Sequence, residues 1–337
     1  MAITIKDIAE LGNVSKGTVS RVINGEPGVG EETRRRILKL IKELDYQPNA
    51  SARGLAVKRS NNIGVIIPHT GNYSMSSAYW PALLTAVTEK AAANDYNILL
   101  STARSEEDVD SAYRTILRGK RVDGLVIGAE QFGDEQLVEL MFKNFPFVMV
   151  GKGPDISHYY VDVDNVGGAR KMTEHLIKLG HKNIAMLTGP ETYPSVRDRV
   201  KGFTQAMTEA GLNPEHIYYC PYWTEKAALT CKEIIHNKAG ITAIFAAAGD
   251  LVGGVLKVFK EEKIRMPDDL ALASFDDHPL FECFVPGITA VSQPINLLGE
   301  AAVDQLFLLM GGKVPTAKKI IFETEIIVRG SCGANLS

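Results

Sequence analysis

Nowhere in this chain does an apolar run approach the roughly 20 residues that a membrane-spanning helix needs. The first residues, MAITIKDIAELG, have no basic patch followed by an unbroken apolar stretch, so a secretory signal is not expected and the protein is placed in the cytoplasm. Cysteine is scarce: Cys220, Cys231, Cys283 and Cys332 stand far apart, with no CxxC pair and no histidine at zinc-finger spacing. They are read as buried thiols rather than a disulfide or metal framework. The chain also lacks GxGxxG, GxxxxGK[ST], GxSxG and HExxH, so nothing points to nucleotide, serine-hydrolase or zinc-protease chemistry. His175 and His181 are six residues apart, off the spacing that puts two ligands on one helix face, and are expected to be structural. No enzyme activity, cofactor or metal site is expected.

What is present is an ordinary globular composition, 45% hydrophobic and 23% charged over 337 residues, which argues against disorder. That length exceeds one hydrophobic core, so at least two are expected. The net charge of -3 hides an asymmetry. Residues 1–60 hold 11 Lys and Arg against 7 Asp and Glu, a net of +4, leaving -7 for the rest. A small basic module on an acidic body suggests a polyanionic partner for the first part, although a solvated charged face would give the same count.

Three short helices fit the first 45 residues. Thr4 and Asp7 form a capping box ahead of Ile5, Ile8 and Leu11, and Gly12-Asn13 ends that helix. Ser15 is the N-cap of a second, from Lys16 to about Ile23, with Val14 reaching Val19 as a hydrophobic staple. The third carries Ile37, Leu38, Ile41 and Leu44 at helical spacing, its basic residues mostly on other faces. Residues 49–57 are a marginal short helix, weakened by Gly54 and with Asn49 as its N-cap. From residue 61 the pattern becomes short apolar runs alternating with amphipathic stretches. Candidate strands are 63–68, 97–102, 123–128, 145–151, 182–189, 242–248 and 269–276. Continuously apolar strands separated by helices mean parallel sheets covered on both faces. Two such series, divided near residue 161, predict two doubly wound halves with ligand at the carboxyl ends of the strands.

The segment Ser15-Lys-Gly-Thr-Val-Ser-Arg-Val-Ile-Asn24, taken with Ile5-Lys-Asp-Ile-Ala9, Thr33-Arg34, Tyr46-Gln-Pro-Asn49 and Ala52-Arg-Gly-Leu55, strongly resembles the lactose/galactose repressor family of bacterial transcription regulators. Asp164-Asn165, His175 to His181, Arg199-Val-Lys-Gly-Phe203, Ser274-Phe-Asp-Asp277 and Gln293-Pro294 extend the resemblance over nearly the whole chain. The implied fold class is α/β: a small helical helix-turn-helix head plus a two-lobed, doubly wound sensor like a periplasmic binding protein. Its expected parts are a head (1–47), a hinge (48–60) and an effector-binding and dimerisation domain (61–337). The N-lobe is expected at about 61–161 and 292–322, the C-lobe at about 162–291 and 323–337. The implied partners are a palindromic operator in double-stranded DNA, a second copy of the chain and a sugar or sugar derivative, with no membrane.

A recognition helix presents its N-terminal turn to the bases, which makes Lys16, Gly17 and Arg21 the readers by position. Lys and Arg suit guanine O6 and N7. Gly17 has no side chain where the family often carries a base-specific one, so readout shifts to Lys16, Arg21 and DNA shape. Thr18, Ser20 and Asn24 either bond phosphates or cap and solvate the helix. Thr4, Ser15, Thr33, Tyr46, Asn49, Ala52 and Arg53 complete the DNA-binding set by resemblance. The resemblance makes residues 49–57 a hinge helix in the minor groove, where Leu55 either wedges into the central base step or packs on the protein's own core.

In the sensor, the resemblance puts ligand between the halves. Arg199 would hold its oxygens in a planar fork, Asp276 would accept from hydroxyls, and Trp223 would stack on a pyranose. Gln293, Asp250 and Tyr79 complete the set, Tyr73 and Trp80 being weaker aromatic candidates. The bland readings are that Trp223 is a half-buried surface residue and that Asp276-Asp277 caps a turn. Many sugar-responsive relatives have Asn-Asp where this chain has Gly249-Asp250. The missing amide predicts altered hydroxyl contacts or a larger ligand. A solute-binding protein without DNA function and a regulator controlled by a protein co-regulator remain as alternatives.

Overall fold

The head is built from three helices whose ends are fixed by the residues flanking them. In the computed structural model, which describes residues 3–23, 25–46, 59–70, 79–103, 121–128, 134–153, 158–237 and 240–334, α1 spans Ile5–Leu11, α2 Lys16–Ile23 and α3 Glu31–Glu43. Thr4 N–H donates to Asp7 Oδ2 at 2.8 Å while Asp7 N–H donates to Thr4 Oγ1 at 3.4 Å, closing the capping box. Hydrogen bonds from the Thr4 hydroxyl and then its N–H hold the Asp7 carboxyl below its ordinary pKa. Ser15 Oγ accepts Thr18 N–H at 3.1 Å, which starts α2. Ile8, Val19 and Ile37 are fully buried, with Val14, Leu40, Ile41, Leu44 and Tyr46 packed around them. Leu38, expected in the apolar stripe of α3, is instead exposed. It lies next to Ile37 along the chain, about 100° around the helix, and three short helices enclose only a narrow core.

Gly12 explains why the turn between α1 and α2 is so tight: a Cβ there would stand 2.3 Å from Ile37 Cδ1. Arg34 donates through Nη2 to the Glu26 carbonyl at 2.6 Å and so anchors the loop between α2 and α3.

The rest of the described chain, a second unit beginning at Asn62, contains two six-stranded sheets. The first is formed by β1 (Asn62–Thr70), β2 (Asn97–Ala103), β3 (Gly124–Gly128), β4 (Phe147–Val150), β5 (Tyr160–Val163) and β11 (Lys319–Phe322), in the order β11-β5-β4-β3-β1-β2. The second is formed by β6 (Ile184–Thr188), β7 (Ile217–Tyr219), β8 (Ala243–Ala246), β9 (Ala271–Phe275), β10 (Thr289–Ser292) and β12 (Glu325–Ile327), in the order β12-β10-β9-β8-β6-β7. All pairings are parallel except β10 with β12. All seven expected strands are present. The other five, three or four residues long, were not anticipated; of these β7, β11 and β12 lie at sheet edges, where half-exposed sequence carries no continuous apolar run.

Helices cover both faces of each sheet, as parallel strands require. On the first sheet, α4 (Tyr79–Ala92) and α10 (Ile295–Met310) cover one face and α5 (Asp134–Phe142) packs on the other. On the second, α8 (Thr224–His236) and α9 (Gly249–Glu261) oppose α6 (Asn165–Lys178) and α7 (Pro194–Glu209). The chain passes between the sheets after β5, after β10 and between β11 and β12. Trp80 is buried in the core under α4 rather than presented to a ligand. Cys220, Cys231 and Cys332 are buried thiols, whereas Cys283 is exposed, contrary to expectation; it ends a short 3-10 turn, Pro279–Cys283, at the surface. Burial pushes Cys231 up to about 12. His175 and His181 meet the C-terminal segment, His175 Nε2 lying 3.4 Å from Cys332 Sγ and His181 Nε2 3.2 Å from the Cys332 carbonyl. Among the described residues no helix is long and apolar enough to cross a membrane.

Candidate DNA-reading helix and ligand cleft

The exposed side of α2 follows from its periodicity. Val19 and Val22 face the head core, leaving Ser15, Lys16, Gly17 and Arg21 exposed and Thr18 and Ser20 half-buried. Gly17 and Arg21 are four residues apart and share a face. A Cβ at Gly17 would meet only Ser15 Oγ, at 3.6 Å. No packing constraint therefore demands glycine here, in contrast to Gly12. Three hydroxyls of the expected DNA-binding set are engaged locally. Thr4 Oγ1 donates to Asp7 Oδ2 at 2.7 Å, and the Ser15 and Thr18 hydroxyls lie 3.0 Å apart. Thr33 is half-buried in the first turn of α3, and Tyr46 packs against the head core. Asn24, Asn49, Ala52, Arg53, Leu55 and Tyr73 lie outside the described residues.

In the sensor, the carboxyl ends of the strands bring together residues far apart in sequence. Arg199 projects from α7, where Gly202 makes the approach possible: a Cβ at 202 would stand 2.1 Å from the Val166 carbonyl of α6. The Arg199 side chain is buried. Its Nε donates to Asn165 Oδ1 at 2.9 Å and its Nη1 to the Ala247 carbonyl at 2.7 Å. Its guanidinium lies 3.7 Å from the centre of the Phe275 ring, a cation–π contact. The remaining nitrogen, Nη2, is 3.8 Å from Asp276 Oδ1.

Asp276 follows β9 with φ of +73°, a left-handed conformation that residues with a Cβ rarely adopt and that tends to persist where surrounding bonds enforce it. Those bonds come from Gly249 N–H, which reaches Asp276 Oδ2 at 3.2 Å, and from the Gln293 amide, which donates to Asp276 Oδ1. Asp276 thus sits at the N-terminus of α9, where the unpaired N–H groups favour a negative charge. A Cβ at Gly249 would press on Asp276 at 3.3 Å, so glycine lets the main chain serve as donor. Asp277 turns away to a bidentate pair with Arg329, at 2.7 and 3.0 Å.

Arg199, Asp276 and Gln293 are therefore gathered into one network. Asp250 is half-buried one residue beyond Gly249. Trp223, the N-cap residue of α8, is half-exposed, and Tyr79 meets Trp80 edge-on at the start of α4.

Sequence reasoning assigned no site role to four participants: Asn165, Phe275, Thr188 and Asp162. Asn165 joins Arg199 to Asp162, since Asn165 Nδ2 donates to Asp162 Oδ1 at 3.1 Å. Phe275 supplies the ring under the guanidinium. Thr188, fully buried at the carboxyl end of β6, has a hydroxyl oxygen without a hydrogen-bond partner among the described residues. Burial pushes the Asp162 carboxyl up to about 6 against the pull of its backbone donors and Arg199. An acidic residue inside a strand ending in an apolar core was the available signal for Asp162.

Comparison with known proteins agrees with this geometry. The profile of bacterial regulatory proteins of the lacI family matches residues 4–49, and that of the periplasmic binding protein-like domain matches residues 173–332. The chain is 32% identical over 310 residues to catabolite control protein A of Priestia megaterium, covering 91% of this chain and 92% of that protein. It is 29% identical to the regulator CelR of Thermobifida fusca, over 97% of this chain and 98% of that one. Among solved structures, the Lac repressor dimer bound to operator and the anti-inducer ONPF has a TM-score of 0.87 at 25% identity, with 99% and 100% of the two chains covered. The CelR–cellobiose complex has a TM-score of 0.75 at 27% identity, with 98% and 99% covered. The chain belongs to the lacI family of bacterial regulatory proteins and is a DNA-binding regulator of transcription.

Proposed function

We propose that the chain is a cytoplasmic, homodimeric repressor that binds a palindromic operator, one head per half-site, and that a sugar or sugar derivative in the sensor cleft alters its operator affinity. The observation that carries the ligand half is the largely buried Arg199–Asp276–Gln293 network, with the buried Thr188 hydroxyl at the carboxyl end of β6 in the same sheet. It sets a guanidinium, a carboxylate, amide groups and a hydroxyl at the strand ends where open α/β sheets bind ligands. Solved relatives of the same fold hold cellobiose or ONPF, which supports a sugar-like class.

On the DNA side, Lys16 in the first turn of α2 and Arg21 in its last turn are exposed and read bases, while the local hydroxyls fix the start of the helix. In this reading residues 1–47 are the head, 48–60 the hinge with Leu55 as its wedge, and 61–337 the effector-binding domain. The effector acts by binding one arrangement of the sensor better than the other.

The test is selection of operators from random DNA followed by titration with salt. Specific binding should fall steeply with salt, and Arg21→Ala should erode sequence preference. Equal affinity for selected and random DNA would overturn the repressor assignment. A sugar panel that begins with cellobiose, read as a rise in unfolding temperature, tests the cleft. A variant Arg199→Ala with an undiminished response would remove Arg199 from it.

A further inference from the structure

We infer that Asp162 is a positioning residue for the cleft: by fixing which way the Asn165 amide faces, it holds Arg199 in place and couples its position to a proton. The inference rests on the cleft being the ligand site. Asp162 lies in β5, immediately before the chain crosses between the sheets, and pairs with Ile321 of β11. Its Oδ2 accepts Lys152 N–H at 2.9 Å. Its Oδ1 accepts Val163 N–H at 2.8 Å and Asn165 Nδ2 at 3.1 Å, and the same Nδ2 also reaches the Val163 carbonyl at 3.3 Å. On its other side, Asn165 Oδ1 accepts Arg199 Nε at 2.9 Å.

The donor inventory permits one amide orientation. A guanidinium only donates and an ionised carboxylate only accepts, so the amide between them turns oxygen to Arg199 and nitrogen to Asp162. Protonating Asp162 breaks this arrangement, because three donors already point at its two oxygens and the new O–H must itself find an acceptor. Rotation of the Asn165 amide by a half-turn supplies that acceptor without moving the main chain, giving up the bond from Asn165 Nδ2 to the Val163 carbonyl. The same rotation points an N–H at Arg199 Nε–H and ends the link. The alternative, release of Lys152 N–H, moves the backbone between β4 and β5.

The charged and titratable neighbours of Asp162 are Arg199 and Asp198 on α7, Tyr160 on its own strand and Lys152 after β4. Burial is the main cause favouring the neutral acid, which places the switch within an accessible pH range. A ligand needing a fixed Arg199 binds more weakly in the protonated state.

Nuclear magnetic resonance of the full chain, with labelled Asn and Asp, tests this between pH 5 and 8. The Asn165 side-chain amide should move with the same midpoint as the Asp162 carboxyl carbon. In Asp162→Asn, whose amide must donate as the protonated acid does, it should not titrate. An Asn165 amide that stays still while Asp162 titrates, or that titrates equally in Asp162→Asn, overturns the inference. Calorimetry with cellobiose and the sugars found by thermal shift separates the two readings. The expected result is affinity on the order of tenfold weaker at pH 5 than at pH 7.5, comparable to losing an outer-shell partner, and flat in Asp162→Asn. A sugar that binds with no pH dependence removes the positioning role. If no sugar binds while the amide titrates, the ligand assignment fails and the Asp162–Asn165–Arg199 coupling stands.

Discussion

The head and the sensor place their functional groups in opposite ways. On α2 the proposed readers Lys16 and Arg21 are exposed, and the Ser15 and Thr18 hydroxyls near them belong to a local cap. In the sensor, Arg199 and Asp276 are largely buried, and each is already bonded by groups from other elements. An exposed reader can be exchanged with little cost to folding, whereas a buried ligand group is also a structural one.

The sharpest way to break that contrast is Arg199→Ala. It removes the guanidinium that faces Asn165, Ala247, Phe275 and Asp276, leaving a buried carboxylate without its cation. The expected loss is about 3–5 kcal/mol of sensor stability, with loss of ligand response. Lys at this position cannot span three directions and should rescue neither. If Arg199→Ala unfolds like the wild type in urea, the sensor site is not structural and the contrast fails.

The second prediction concerns pH. The Asp162 pKa is raised from 3.8 to about 6 by burial, so the native state holds a proton that the unfolded chain has released. Stability from this group is therefore greatest below pH 4, falls as pH rises from about 4 to 6, and is about 3 kcal/mol lower at neutral pH. Denaturation in urea across that range should show the slope, and Asp162→Asn should flatten it. A slope unchanged in the variant would assign it to other groups.

The same contrast explains what could be read from the sequence. The head was largely legible, Leu38 apart, because its determinants are local: Thr4 with Asp7, Ser15 with Thr18, and the Gly12-Asn13 turn lie within a few positions of each other. The seven apolar strands were legible through their unbroken runs. The cleft was only half legible. Arg199 and Asp276 could be named through a resemblance, but Asn165 meets Arg199 across 34 residues, and Gln293 and Gly249 meet Asp276 across 17 and 27. No local pattern encodes such pairings. They arise when strand ends from a doubly wound sheet converge. The short edge strands were hidden for a related reason, since β11 and β12 are specified by their place beside β5 and β10 more than by composition.

Within the head, Gly12→Ala should cost about 1–3 kcal/mol through overpacking, because its methyl would fall 2.3 Å from the buried Ile37 side chain and 3.0 Å from the Ile8 carbonyl. The readout is an earlier thermal transition of the head and proportionally weaker binding to every DNA sequence, since the whole recognition helix is displaced.

Gly17→Ala is the smallest effect and separates reading from folding most cleanly. The added methyl meets nothing nearer than Ser15 Oγ at 3.6 Å, and alanine is the better helix former by about 1 kcal/mol in a helix interior, less in a first turn. The head should therefore be unchanged or slightly more stable. On DNA, a methyl on the face shared with Arg21 makes an apolar contact available to a thymine methyl. Selection from random DNA should then shift preference at one position per half-site. The salt dependence should stay the same, because it counts phosphate contacts that Gly17 does not make. A salt slope that changes with Gly17→Ala would mean that the substitution moves the helix rather than its reading surface. Gly17 would then be a packing glycine like Gly12.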